Sequence, residues 1–278
     1  MIEIKNLSFH YRRGKPIFEN VSFSMNGGIV GLLGENGVGK TTLLHIISGL
    51  RFPKEGSCKI LGQHACNRKP ETLEKLFFLP EEFDTPTMSI CTYAKYNAAF
   101  YPDFSREQFG KYLAEFNIDG NEKMTAQSLG QKKKAMIAFA LSLNTPILLL
   151  DEPTNGLDIP SKTQFRKILS AIADEGRLII ISSHQVRDLE SLIDPIIILN
   201  HNEVLINNSI EEISSKLFFS KQSEKPENAL YFEQMLDGYL VVEPNINNRQ
   251  STVNIEALFN TAISNKLKIS ELFNIKKH

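Results

Sequence analysis

Gly34-Glu-Asn-Gly-Val-Gly-Lys-Thr-Thr42 fits the phosphate-cradling pattern G-x-x-x-x-G-K-[ST]. An apolar run at residues 29–33 precedes it and an amphipathic segment at 42–50 follows, a strand-loop-helix context that lifts the pattern above a chance match. Its glycines permit a tight backbone whose successive N–H groups point at an anion. The start of the following helix adds its positive dipole end. Gly34, Glu35, Asn36, Gly37, Val38, Gly39, Lys40, Thr41 and Thr42 are therefore the expected nucleotide-binding residues. Lys40 is expected to reach the β- and γ-phosphates and the Thr41 hydroxyl to help hold Mg²⁺. The stretch predicts a nucleoside triphosphate site.

Three more apolar runs, at 75–79, 147–150 and 178–181, share the character of 29–33 and alternate with helical segments. Short runs without polar alternation predict a mainly parallel sheet buried on both faces, hence an α/β fold. Ligands in such sheets sit beyond the carboxyl ends of the strands. Just past these four ends stand the Gly34 loop, Glu81, Asp151-Glu152 and Ser183-His184, all suited to phosphate, metal or water chemistry. Ahead of the phosphate loop, residues 2–4, 7–10 and 18–25 read as antiparallel strands, and 57–61 as a further β element. From about 88 to 145 the pattern is helical, with helices expected at 90–100, 105–116 and 129–143, and Ser105 with Gln108 offers a capping box.

Ile147-Leu-Leu-Leu-Asp-Glu152 is an apolar strand that ends in two acids. Adjacent strand residues point to opposite faces, so the two carboxylates are expected to have different tasks. Asp151 is assigned to Mg²⁺ through water, and Glu152 to the general base that polarises the attacking water. His184 alone reads as an ordinary satisfied histidine; at the same sheet edge as Lys40 and Glu152 it reads as a γ-phosphate sensor.

The 278 residues suffice for one large domain with a small appendage. A net charge of −1 argues against nucleic-acid binding carried by bulk charge. Cys58, Cys66 and Cys91 are odd in number and form no C-x-x-C pair, which predicts reduced thiols. No apolar run approaches membrane-spanning length, and the N-terminus has no apolar signal core, so the chain is expected to be soluble.

Taken together, residues 2–215 resemble the ATP-binding subunit of ABC transporters. The resemblance rests on the phosphate loop, on Leu148-Leu-Leu-Asp-Glu152, and on Pro153-Thr-Asn-Gly-Leu-Asp158, which looks like the family's D-loop (Asn155, Gly156, Leu157 and Asp158). Ser183-His184 matches the switch histidine. It implies that Tyr11 stacks on adenine, where a plain reading has a half-buried strand residue. The family's Leu-Ser-Gly-Gly-Gln signature corresponds to Gln127-Ser-Leu-Gly-Gln131, with two of five positions changed. Ser128 and Gln131 form a capping box for the helix that follows. The resemblance also implies that Ser128, Leu129, Gly130 and Gln131 meet the γ-phosphate held by an opposite subunit. Lys132-Lys-Lys134 reads as a solvated helix face. Glu81 stands where the family usually has a metal-contacting Gln, and as an oxygen ligand it is a candidate for Mg²⁺.

What the resemblance implies overall is an ATPase (ATP and Mg²⁺ as ligands) with a P-loop NTPase core. Around that core it places an N-terminal antiparallel β subdomain, a helical insert and a small C-terminal α+β appendage. The expected organisation is an ATP-binding domain at 1–219, a polar linker at 220–228, and an accessory module at 229–278 holding a hairpin about Asp237-Gly238 and a helix at 255–264. The departures resemble the exporter branch whose membrane subunits are separate polypeptides. Such a chain works in the cytoplasm on the inner face of the membrane, as a homodimer or with a paralogous ATPase. The competing reading is a non-transport relative acting on ribosomes or nucleic acid. Apolar Phe83 and Met88, near Glu81, offer a docking patch for a membrane partner, or else pack on the chain's own core.

Overall fold

Alternating residues of the apolar strands feed two separate cores, one on each face of a central sheet. The computed structural model describes residues 1–12, 14–173, 176–185, 190–226 and 229–273. In chain order these give β1 (Ile2–His10), β2 (Pro16–Met25), β3 (Gly28–Leu33), α1 (Lys40–Ile47), β4 (Glu55–Ile60), β5 (Gln63–His64), α2 (Pro70–Leu73) and β6 (Leu76–Leu79). The insert follows as α3 (Ile90–Asn97), α4 (Arg106–Glu115) and α5 (Leu129–Ser142). Then come β7 (Ile147–Asp151), α6 (Ile159–Ile172), β8 (Leu178–Ser183), β9 (Ile196–Asn200), β10 (Glu203–Asn208) and α7 (Ile210–Lys216). The chain closes with β11 (Leu217–Gln222), β12 (Tyr231–Met235), β13 (Gly238–Pro244), α8 (Ile255–Ser264) and α9 (Lys266–Leu272).

The central sheet has the order β10-β9-β3-β8-β7-β6. All its neighbours run parallel except β10 against β9. Val30, Leu32, Leu149 and Ile180 join α1 and the inner faces of β1, β2 and β4 in one core. Ile29, Leu33, Leu148, Leu150 and Ile181 join the insert, α6 and α8 in the other. This two-sided burial is why the runs lack polar alternation. Leu79 pairs with Leu150 and Leu150 with Ile181, so the carboxyl ends of β6, β7, β8 and β3 lie side by side. The α/β P-loop core expected from the sequence is the architecture found. No helix among the described residues is long and apolar enough to cross a membrane.

Several expectations need correction. Residues 2–4 and 7–10 are one strand, not two; Asn6 sits at φ +48 within a register shift against β2, and this bulge resets the alternation between Ile4 and Leu7. Ser105 does cap α4, but the Gln108 side chain accepts from Asn144 Nδ2 at 2.7 Å, leaving half of the expected capping box. Helix α7 stops at Lys216, and residues 217–222 form β11, paired along its length with β13. Residues 220–222 therefore belong to the β11-β13-β12 sheet rather than to a linker. Residues 227–228 of that expected linker and 274–278 of the accessory module lie outside the described residues. The expected accessory module packs on the main domain: Ile255, Leu258 and Ala262 of α8 sit in the same core as Ile196 and Ile198 of β9. All three cysteines are free, and burial pushes the Cys58 thiol up to about 12.

Candidate active site

The loop between β3 and α1 needs glycine at Gly37 and Gly39, whose φ values are +85 and +110. A Cβ on Gly39 would also come within 2.5 Å of Ile17 Cγ2. Helix α1 begins at Lys40 with no side chain capping it, so its first N–H groups face outward for an anion. Lys40 is buried, and its Nζ donates to the carbonyls of Gly34 at 2.8 Å and Glu35 at 3.3 Å. Thr41 is exposed on the first turn, whereas Thr42 is buried and shares a 3.1 Å hydrogen bond with the Tyr11 hydroxyl. Tyr11 lies just beyond β1 and is 41% exposed, its ring edge-on to Phe9 at 5.1 Å and with the Arg51 guanidinium 5.6 Å from its centroid. It is tethered to α1 rather than half-buried in the strand.

Asp151 and Glu152 are both buried at the end of β7. The expectation that they share one strand and point to opposite faces fails at Glu152, which has left the strand at φ +44. A left-handed residue with a Cβ costs about 1–2 kcal/mol, so its surroundings must hold it. The Glu152 N–H donates to the carbonyl of Ser182 at 3.2 Å and to its hydroxyl at 3.0 Å. That hydroxyl in turn donates to Asp151 Oδ1. The turn brings Glu152 Oε1 to 2.9 Å from His184 Nδ1 and 3.7 Å from Lys40 Nζ. Glu152 Oε2 is buried without a hydrogen-bond partner. An orphaned carboxylate oxygen beside a phosphate loop fits an acceptor waiting for a water proton.

Thr41 and Asp151 offer only oxygen donors, a set suited to a hard cation. No three His, Cys, Asp or Glu side chains are grouped to hold a metal among the described residues. Mg²⁺ here would complete its shell with phosphate and water, its usual habit at a nucleotide. Glu81 is exposed, and its Oε1 accepts from Asn155 Nδ2 at 2.8 Å, which ties the end of β6 to the segment after Glu152.

Ser128 caps α5 in the expected capping box with Gln131. The first turn of that helix lies against residues 155–158: a Cβ on Gly130 would stand 3.1 Å from the Gly156 carbonyl. Gly156 takes φ +77, Leu157 is buried, and Asp158 caps α6. The Ser161 hydroxyl and N–H hold the Asp158 carboxyl below its usual range. Leu129 and Ile159, at the starts of α5 and α6, are 74% and 81% exposed. Thus Lys40, Glu152 and His184 meet directly, Tyr11 joins the loop through Thr42, and Ser128 to Gln131 stand with the 155–158 segment instead.

Two residues of the site escape a reading of the sequence alone. Ser182, which braces both acids, is a polar residue at the end of an apolar strand, and that interruption was the available signal. Lys133 is not on a solvated face: it is 4% exposed, and its Nζ donates to the Glu152 carbonyl at 2.7 Å. Its clue was helical spacing, because Lys133 precedes buried Met136, Ile137 and Ala140 by three, four and seven residues.

Comparison with known proteins places this arrangement. A family model described as ABC transporter matches residues 18–155. The ABC transporter ATP-binding protein YybJ of Bacillus subtilis is 34% identical over 230 residues, covering 80% of this chain and all of that protein. Among solved structures, an ATP-binding subunit of an ABC transporter superposes with a TM-score of 0.69 at 26% identity, over 77% of this chain and 91% of that one. A bacterial ABC transporter cassette solved as a dimer gives 0.66 at 25% identity, over 75% and 98%.

Proposed function

This chain belongs to the ABC transporter family and is an ATP-binding, ATP-hydrolysing subunit of it; from that premise we propose that it powers export through separate membrane subunits, with two copies closing around ATP. The observation that carries the proposal is the division of the site. The phosphate loop, Glu152 and His184 form one group, while Ser128 stands at the exposed start of α5 beside exposed Leu129 and Ile159. An exposed apolar pair at the starts of α5 and α6 supports a self-complementary interface, and the neighbour solved as a dimer points the same way. The export direction rests on the resemblance carried by Gln127-Ser-Leu-Gly-Gln131 and Glu81. The chain would then act at the cytoplasmic face of the membrane through its partners.

In this reading Lys40 and the N–H groups at the start of α1 hold the β- and γ-phosphates, and Tyr11 stacks on the base. Thr41 and Asp151 hold Mg²⁺, which when bound neutralises charge on the phosphate oxygens. Glu152 accepts the proton of the attacking water on its unpartnered Oε2. His184 donates from Nδ1 to Oε1, which fixes the tautomer and the tilt of the carboxylate. Ser128 of the second copy caps the γ-phosphate from the far side.

Mixing Ser128→Arg chains with Lys40→Ala chains tests the composite site. Each parent should be inactive, while the mixture should regain part of the normal rate, because a mixed dimer has one intact site of two. A mixture as inactive as its parents, with mixed dimers demonstrably present, would refute the shared site.

Phe83 packs against the main core, so it is a poor docking residue. Tyr96 and Phe100, 62% and 70% exposed on the insert, are the apolar side chains offered to a membrane partner's cytoplasmic helix. Tyr96→Asp with Phe100→Asp should reduce co-purification from detergent-solubilised membranes by about tenfold or more, with basal ATPase within about twofold of normal. Undiminished co-purification would place docking elsewhere.

A further inference from the structure

Lys133 carries a charge into the core of the site without belonging to the phosphate loop. The residue is 4% exposed, and its ammonium reaches across from α5 to the carbonyl of Glu152 at 2.7 Å. Burying an ammonium costs several kcal/mol unless charges and hydrogen bonds offset it. Here Glu81, Glu152 and Asp151 supply the opposite charge: burial pulls the Lys133 pKa down and these three carboxylates push it back up. An apolar side chain on the buried stripe of α5 would pack there at lower cost. What the ammonium adds is a donor aimed at one carbonyl.

That carbonyl belongs to the left-handed residue of the site. Glu152 sits at φ +44, and its backbone is held on both sides: by Ser182 at its N–H, and by the Asn155 N–H at 3.2 Å and Lys133 at its carbonyl. The orientation of the peptide sets where the carboxylate goes, between His184 and Lys40. Lys133 lies three residues, about one turn, past Gly130, where α5 meets the Gly156 carbonyl. The same side chain therefore links the start of α5 to the acid.

We infer that Lys133 is a positioning residue for hydrolysis: it locks the left-handed Glu152 peptide and couples the outward-facing start of α5 to the carboxylate that activates water. The inference rests on the reading of Glu152 as the base. A helix start that shifts when a second copy engages would move Lys133 and, through its hydrogen bond, the Glu152 peptide. Binding of nucleotide should depend little on this link, because the phosphate loop is built by other residues.

The test is a set of four purified chains: Lys133→Met, Lys133→Arg, Glu152→Gln, and Lys133→Met with Glu152→Gln. Lys133→Met should lower kcat by roughly 10- to 100-fold, as a misplaced base does, while KM for ATP stays within about twofold. Lys133→Arg keeps the charge and a donor, and it should recover a substantial part of kcat. In the Glu152→Gln background the same Lys133→Met change should cost no more than about twofold, because its effect runs through the missing carboxylate. Full kcat in Lys133→Met, a raised KM with kcat intact, or an equal loss in both backgrounds would each overturn the proposal. Failure of both Lys133 variants to fold would overturn it too, making Lys133 a strut of the core. Near-normal turnover in Glu152→Gln alone would overturn the base assignment and this proposal with it. Full turnover in Lys133→Met beside an inactive Glu152→Gln would overturn only this proposal.

Discussion

Glu152→Gln is expected to bind ATP with near-normal affinity and to lose about 10²- to 10⁴-fold in turnover, the usual contribution of a general base. The side chain is buried and Gln is close to it in volume, so the φ +44 turn and its bonds to Ser182 and Lys133 survive the exchange. What is lost is the acceptor at Oε2, the carboxylate oxygen with no partner of its own. His184 Nδ1 still has an amide oxygen to bond, so its position changes little. Steady-state phosphate release beside ATP affinity by fluorescence separates the two effects. Turnover near that of the unaltered chain would remove Glu152 from the role of base.

Lys40→Ala should abolish detectable nucleotide binding. The ammonium is buried against the Gly34 and Glu35 carbonyls and lies 3.7 Å from Glu152. Removing it takes the lysine donor from both carbonyls and leaves the triphosphate without its fixed cation. Losses on removing one member of a buried charged contact run to about 4 kcal/mol. That is roughly a thousandfold, enough to carry a micromolar Kd into the millimolar range. Calorimetry with a non-hydrolysable ATP analogue checks it, and an unchanged affinity would contradict the reading of the phosphate loop.

The parts of the site legible in the sequence are those where polar residues interrupt an apolar run. The Gly34 loop, Asp151-Glu152 and Ser183-His184 each stand where a fully buried strand ends, and parallel pairing then forces those ends together. Other features depend on contacts that local pattern does not encode. Glu152 takes a backbone conformation favoured by glycine, so nothing about an acid after an aspartate signals it. Lys133 was hidden by its neighbours: in a run of three lysines the charge outweighs the helical spacing that places the middle one inward. Residues 217–222 follow a helix directly and end in three polar residues, so their pairing with β13, farther along the chain, is not encoded in the local pattern. At Asn6 a single bulge joins what alternation had split into two strands.

The central claim is that two copies of this chain close around ATP. The direct measurement is the solution mass of Glu152→Gln by light scattering, with and without Mg²⁺ and ATP. The account predicts the mass of one chain without nucleotide and twice that mass with it, with Ser128→Arg added to the same chain restoring the monomer. A mass of one chain at saturating ATP, with binding confirmed by calorimetry, would contradict it.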